Sequence, residues 1–470
     1  MLKKRRKSSP TSCTVKKHTV PLFPTDANQA ASATLSAKLL QHHLSHTPIT
    51  PDDAGIPLAY PSLYPHTPQA STSQPSLNFA SFTSLFQTTD NSPAAQLFRL
   101  GSALYDPIDL QLPQTDSPDT THVTPDVRNR IALLRRKAAL SKWLKKAVKQ
   151  DVDSDIQTQV SAYNPSSVPS SASRPGSHTA ADQVFTYLTG YQINKAADVA
   201  LDAGYLKLAT LISQAGGDDV FRADMQSQLK IWEDEKVMQF IERGVKKVYM
   251  LLGGLLSSEG NIKDKDADLC ANLDWKRVFG LCLWYAEPVI ASIADVFEAY
   301  EAFVRNSGSK VARPLPAWYD QRQARAAQPP SFLAWSNSPY LQPCDPEDPL
   351  YALIRLHADP ALSLSHVLNP TSFGFGASHV DWSLCWHIYI ILSRVMRVRD
   401  FADREELRSR ARSKVPNGIT LDDEEDDEEL TEGHSPSADL LASSYAFQLE
   451  AQGMLQEAVF VLLHIEGSAG

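Results

Sequence analysis

Cysteine is scarce and unpatterned. Five occur in 470 residues, at positions 13, 270, 282, 344 and 385, and no Cys-x-x-Cys pair is present. An odd count without paired spacing suits free thiols in a reducing compartment better than a disulfide framework. Long apolar runs are also missing. The most apolar segment, Ser383 to Met396, is short and carries His387 and Arg394, whereas a bilayer span needs about 20 apolar residues; it reads as a buried helix. No apolar run follows the basic start Met1 to Lys7, so it is not a secretory signal. Positive charge is not in excess. The formal net charge of −9 argues against gripping a phosphate backbone, and no direct nucleic-acid contact is expected.

Catalytic signatures are absent too. There is no Gly-x-Ser-x-Gly elbow and no phosphate loop ending in Gly-Lys-Ser/Thr. Phe373-Gly-Phe-Gly376 lacks the helix-borne Lys that a phosphate site needs and reads as a loop. The run Asp422 to Glu429 is too mutually repelling for a tuned acid/base pair, has no spaced calcium ligands, and reads as a solvated loop. His42, His43 and His46 have metal-like spacing, but no cysteine is near and little in the segment would hold them rigid; a linker is expected there. Cys270, Cys282, Cys385, His387 and His464 fall in apolar helical stretches and are expected in the core. The expectation is a protein that is not an enzyme, with no catalytic, cofactor-binding or metal residues.

What is present is helix. Between Ser8 and Asp126, Pro, Ser and Thr recur and apolar clusters are brief, so this stretch is read mainly as linker. It holds a short strand expected over 13–23 and two apolar pieces, Leu77 to Phe86 and Leu97 to Leu112, the second apolar enough to dock. Regular helix is predicted after Thr124-Pro125, with Thr124 as cap and Pro125 where its missing N–H does no harm. Short helices are predicted over Val184 to Leu188, Ile193 to Ala203 and Leu206 to Ala215, each closed by glycine or a Thr-Gly pair. Helices this short persist only by packing on neighbours. One long amphipathic helix is predicted from Leu229 to Leu252, taking in Val237 and Phe240. Others are expected from Trp275 (capped by Asp274) to Tyr285, from Pro288 to Val304, over Leu350 to Leu356, over Asp381 to Val398, and in two pieces from Ser444 to Ile465. Leu201 to Ala209 echoes Leu449 to Ala458 as helix, Gly turn, helix. Loops are expected at 161–177, 305–349 and 413–437, with Trp318, Trp335 and Tyr340 as anchors in the second.

Two charged stretches have alternative readings. Lys3 to Lys7 suits a nuclear-import signal or a plain basic tail. Arg128 to Lys149 is a basic amphipathic helix, read first as a solenoid helix with a solvated basic face. Contact with an anionic membrane or an acidic partner is the other reading.

Several blocks, in order, resemble the nucleoporin 96 family, the C-terminal product of the nucleoporin 98–96 precursor. They are Leu97 to Leu112, Arg135-Arg-Lys-Ala-Ala-Leu-Ser-Lys-Trp-Leu144, Phe185-Thr-Tyr-Leu-Thr-Gly190, Leu273-Asp-Trp-Lys-Arg277 through Leu283-Trp-Tyr285, and Pro349-Leu-Tyr-Ala-Leu-Ile-Arg-Leu356. The resemblance implies an all-α helical solenoid of the ancestral coatomer element type, with trunk and crown, over 97–470, behind a mostly disordered extension over 1–96. It implies a place in the Y-shaped scaffold of the nuclear pore complex at the nuclear envelope, with other scaffold nucleoporins as partners and only indirect membrane contact. Nucleocytoplasmic transport, including mRNA export and protein import, would depend on that scaffold. A vesicle-coat or tethering solenoid is the alternative of the same fold.

The sequence departs from the family pattern at both ends. Family members carry a segment that adds a blade to a β-propeller partner shared with the COPII coat. Its Gly-Trp-Gly core is missing, as is the self-cleaving domain before it. Val15, Val20, Leu22 and Phe23 are the residues a last blade strand would use. The family also continues past the helix that precedes Gly470, so the chain reads as a fragment or a truncated gene model.

Overall fold

The computed structural model describes residues 26–51, 55–61, 77–110, 124–162, 179–256, 269–270, 273–307, 311–316, 347–373, 380–404 and 435–465. The strand expected over 13–23, the anchors Trp318, Trp335 and Tyr340, and the acidic run all lie outside them.

The regular elements of the described residues are helical apart from one small hairpin. The first elements are α1 (Asp26–Leu44), β1 (Ile49–Pro51), β2 (Pro57–Ala59), α2 (Phe79–Thr83) and α3 (Pro93–Leu104). Strands β1 and β2 pair antiparallel, Ile49 opposite Ala59. Next come α4 (Pro125–Ala147), α5 (Lys149–Ala162), α6 (Ala180–Thr189), α7 (Ile193–Asp202), α8 (Leu206–Ile212), α9 (Asp219–Asp234) and α10 (Arg243–Leu252). The return half comprises α11 (Trp275–Leu281), α12 (Ile293–Ser307), α13 (Pro349–Ala358), α14 (Ser383–Tyr389), α15 (Pro436–Ala451) and α16 (Leu455–Leu462).

Local chemistry sets these boundaries. Four helices open on a polar cap followed by proline: Ser92-Pro93, Thr124-Pro125, Asp348-Pro349 and Ser435-Pro436. The cap oxygen accepts an otherwise unpaired N–H, and proline has no N–H to leave unpaired. The Thr124 cap foreseen from sequence accepts from Val127 N at 3.5 Å, and the Asp274 cap from Lys276 N at 3.2 Å. The echo between the two short hairpins is geometric as well. Gly204 ends α7 at φ +82° and Gly453 ends α15 at φ +80°. Tyr205 N donates to Ala200 O at 2.8 Å, and Met454 N to Leu449 O at 2.9 Å. A left-handed residue after the helix lets the chain reverse while pairing the last carbonyls.

The path doubles back. Helices α4 to α8 pack in succession, and α10 lies against α6 and α9; α11 then returns against α4 and α6. Further back, α12 packs on α13, α13 on α3, α14 on α15, and α16 on α1. One apolar core runs through the whole array, from Leu39 to Val461. Close approach is possible where side chains are small: a Cβ on Gly244 of α10 would stand 2.7 Å from Ala181 Cβ of α6.

Buried polar ties join the two directions of the path. Arg277 of α11 donates to Asp155 Oδ2 at 2.5 Å and to Thr189 Oγ1 at 2.6 Å. Trp275 Nε1 donates to the Asp348 cap at 2.9 Å. The turn after α11 exposes carbonyls that cations satisfy: Arg222 donates to Glu287 O at 2.9 Å, and Lys137 to Pro288 O at 2.7 Å. Both central apolar helices widen to π-turns at their ends, over Cys282–Ala286 and Ile390–Val395.

Four expectations need correction. The span 1–96, read mainly as linker, contains the 19-residue helix α1, with Leu39 and Leu40 buried. Burial against α16 stabilises what its own polar composition would not. The single helix expected from Leu229 to Leu252 is two, because Lys236 turns left-handed at φ +57° and ends α9. The helix placed at Pro288 starts at Ile293. Phe240, assigned to a core stripe, is 81% exposed.

Candidate functional site

The cysteines among the described residues lie in the core, and so do three histidines. Cys270, Cys282 and Cys385 are buried, and burial pushes the thiols of Cys282 and Cys385 upward, away from nucleophilic thiolate. His387 and His464 are buried, as the sequence indicated. His43 is as well, which overturns the linker reading of the His42, His43 and His46 group. Its ring lies 5.7 Å from that of His387, 5.3 Å from His464, 4.9 Å from Trp386 and 5.6 Å from Phe460. Burial holds His387 at about 3 and His464 at about 4 and drives His43 well down, with the neighbouring histidines adding to it. These rings are a neutral clamp between α1, α14 and α16. Among the described residues no group of three or more His, Cys, Asp or Glu could hold a metal ion, and no helix is long and apolar enough to cross a membrane.

Two edges expose large apolar side chains in a helical register. The first includes the turn at Tyr205, whose hydroxyl donates to Glu242 Oε2 at 2.7 Å. Leu201, Leu206, Val237 and Phe240 lie within five residues of Tyr205 or Glu242 in sequence, and all are exposed. On α9, Val220 and Ile231 are exposed while Met225 and Leu229 are buried. Eleven residues bring a helix back to nearly the same face, so α9 is apolar on both sides.

The second edge is the α15–α16 hairpin. Leu455, Val459 and Leu462 form an exposed i, i+4, i+7 stripe on α16, and Leu440 and Phe447 are exposed one heptad apart on α15. The opposite faces of both helices are buried through Leu441, Tyr445, Leu449, Phe460 and Val461. An isolated exposed leucine is ordinary, but clustered stripes mark an interaction face. Sequence periodicity shows such a helix as apolar all round and does not say which side meets the core. The strand residues Val15, Val20, Leu22 and Phe23 lie outside the described residues, so neither edge includes them.

Comparison with known proteins gives these surfaces a context. The family described as nuclear protein 96 (Nup96) matches residues 182–470, well over half of the chain. The chain belongs to the Nup96 family. The nuclear pore complex protein NUP96 of Arabidopsis thaliana is 27% identical over 334 residues, covering 71% of the chain and 25% of that relative. Nucleoporin nup189 of Schizosaccharomyces pombe is 24% identical over 374 residues, covering 78% and 17%. Nuclear pore complex protein Nup98-Nup96 of Drosophila melanogaster is 26% identical over 296 residues, covering 62% and 12%. The chain thus spans a quarter or less of the length of these Nup96 relatives. The family match takes in α7 to α16, and so both apolar edges.

Proposed function

We propose that this Nup96-family chain is a structural scaffold component of the nuclear pore complex, within its Y-shaped coat. Its role is architectural, supporting mRNA export and protein import through protein–protein assembly. The observation that favours this most is the pair of exposed apolar edges on a family member whose buried cysteines and histidines are unsuited to catalysis. The doubled-back path, with α11 to α16 returning along α1 to α6, suits the trunk and crown of an ancestral coatomer element. In that reading the α8–α9 edge is the crown face for another scaffold nucleoporin, and the α15–α16 edge is a stacking face. A β-propeller shared with the COPII coat would be met through Val15, Val20, Leu22 and Phe23, outside 97–470.

Imaging a tagged chain in cells, with recovery of its partners, tests the reading. A nuclear rim and co-purified Y-complex nucleoporins are expected. Cytoplasmic puncta with vesicle-coat partners, and no nuclear rim, would refute it in favour of a vesicle-coat solenoid.

A further inference from the structure

A groove of about 560 Å³ opens where α4 passes the turn between α6 and α7. Lys142, Lys145, Lys146, Lys149 and Lys195 line it, together with Tyr191. The cations outnumber their partners. Lys149 and Lys195 share one carboxylate, Asp153, at 3.7 and 3.6 Å. Lys146 donates to the neutral carbonyl of Thr88. Lys145 Nζ stands 3.9 Å from the centroid of the Tyr191 ring. Among the described residues no carboxylate pairs with Lys142, Lys145 or Lys146. Burial lowers the pKa of the Lys145 ammonium, which no anion here offsets.

The groove is also preformed. Tyr191 is left-handed at φ +55°, a conformation unusual for a bulky residue. Its ring is fixed 5.2 Å from Trp284 and 5.8 Å from Tyr285. Trp284 is itself anchored to Ser141 Oγ at 2.8 Å. Rigid walls lower the ordering cost of a bound segment.

We infer that this groove binds a short acidic segment of a partner protein, its carboxylates set among Lys142, Lys145 and Lys146 beside the Tyr191 ring. Lysine suits such a ligand, being a point charge that accepts carboxylates in many orientations. The chain's formal net charge of −9 disfavours larger polyanions such as a nucleic-acid backbone or a flat anionic bilayer, whereas a short peptide needs only the groove. The inference goes beyond the scaffold reading and does not depend on which coat the chain serves.

The test is fluorescence anisotropy of a short labelled peptide of Asp and Glu, titrated with the full chain at low salt. Binding is expected, and it should weaken as added salt shortens the screening length from about 10 Å at 0.1 M to about 3 Å at 1 M. Lys142→Glu with Lys145→Glu should weaken it by roughly tenfold or more. Lys142→Gln with Lys145→Gln keeps the side-chain stems and should weaken it less. Lys207→Glu with Lys230→Glu, on other helices, should leave it unchanged. No binding by the wild type, or equal binding by the Lys142/Lys145 variants, overturns the inference. So does binding of phosphatidylserine vesicles or oligouridine where the peptide fails. Binding seen only after neutralising residues 422–429 would also overturn it, because the chain's own acidic run would then be the occupant.

Discussion

Acid should loosen the clamp that fastens α1 to the return half, and one substitution should blunt the effect. His387 and His464 are held neutral, at about 3 and about 4 against 6.5 for an exposed histidine. Opened chains therefore bind protons that the closed fold excludes, so closure is strongest above about pH 6.5 and weakens as pH falls towards about 4. At pH 5 each ring costs about 2 kcal/mol, so the pair costs about 4 kcal/mol. His43 shifts in the same direction. That is a large share of a typical stability of about 5–15 kcal/mol. The buried carboxyls of Asp106, Asp348 and Asp381 are raised by burial and gain on acidification, which opposes the histidines. The decisive comparison is therefore between proteins, not between pH values. Neither ring nitrogen of His387 has a hydrogen-bond partner among the described residues, so His387→Phe keeps the ring, loses the titration and should not weaken the fold at pH 7.5. Amide hydrogen exchange in α1 and α16, corrected for intrinsic rates, reads local opening. Between pH 7.5 and 5 the wild type should lose roughly thirtyfold more protection than His387→Phe, the equivalent of about 2 kcal/mol. Equal losses in the two proteins would refute the reasoning.

Three further outcomes follow from the packing. Gly244→Val should destabilise by about 1–3 kcal/mol, because α10 and α6 meet there, and thermal unfolding will show it. Arg277→Ala should cost about 2 kcal/mol, since Thr189 loses a buried charged donor and α11 loses its tie to α5 and α6; a urea midpoint measures it. Gly453→Ala should cost about 1 kcal/mol through its left-handed backbone alone, there being nothing within 4 Å of the new methyl group; Gly204→Ala should match it in the same assay.

Much of this fold could be read in advance where local chemistry decides it. Thr124, Asp274 and the glycines at 204 and 453 act through their immediate neighbours, so caps and hairpin turns followed from spacing. Features set by distant contacts did not. Helix α1 has no apolar stripe of its own and depends on α16. The left-handed Lys236 carries no turn signal, so α9 and α10 read as one helix. The π-turns at Cys282 and Ile390 sit in uniformly apolar runs, where periodicity has nothing to register. Exposure failed for the same reason: in α15 and α9 both faces are apolar, and only the neighbours decide which one is covered. His43 escaped the sequence reading because its partners are Trp386, His387, Phe460 and His464, far along the chain.

That distance has a consequence for synthesis. His43 leaves the ribosome some 420 residues ahead of His464, at about 5–20 residues per second. Helix α1 therefore waits tens of seconds for the surface it will cover. A phenylalanine at this position would spend that interval as exposed greasy surface, a lure for aggregation and chaperones. An imidazole is well hydrated while it waits and can give up its proton on docking. The histidine clamp is thus a fastener that tolerates being left open, suited to a helix secured only when one made some 420 residues later arrives.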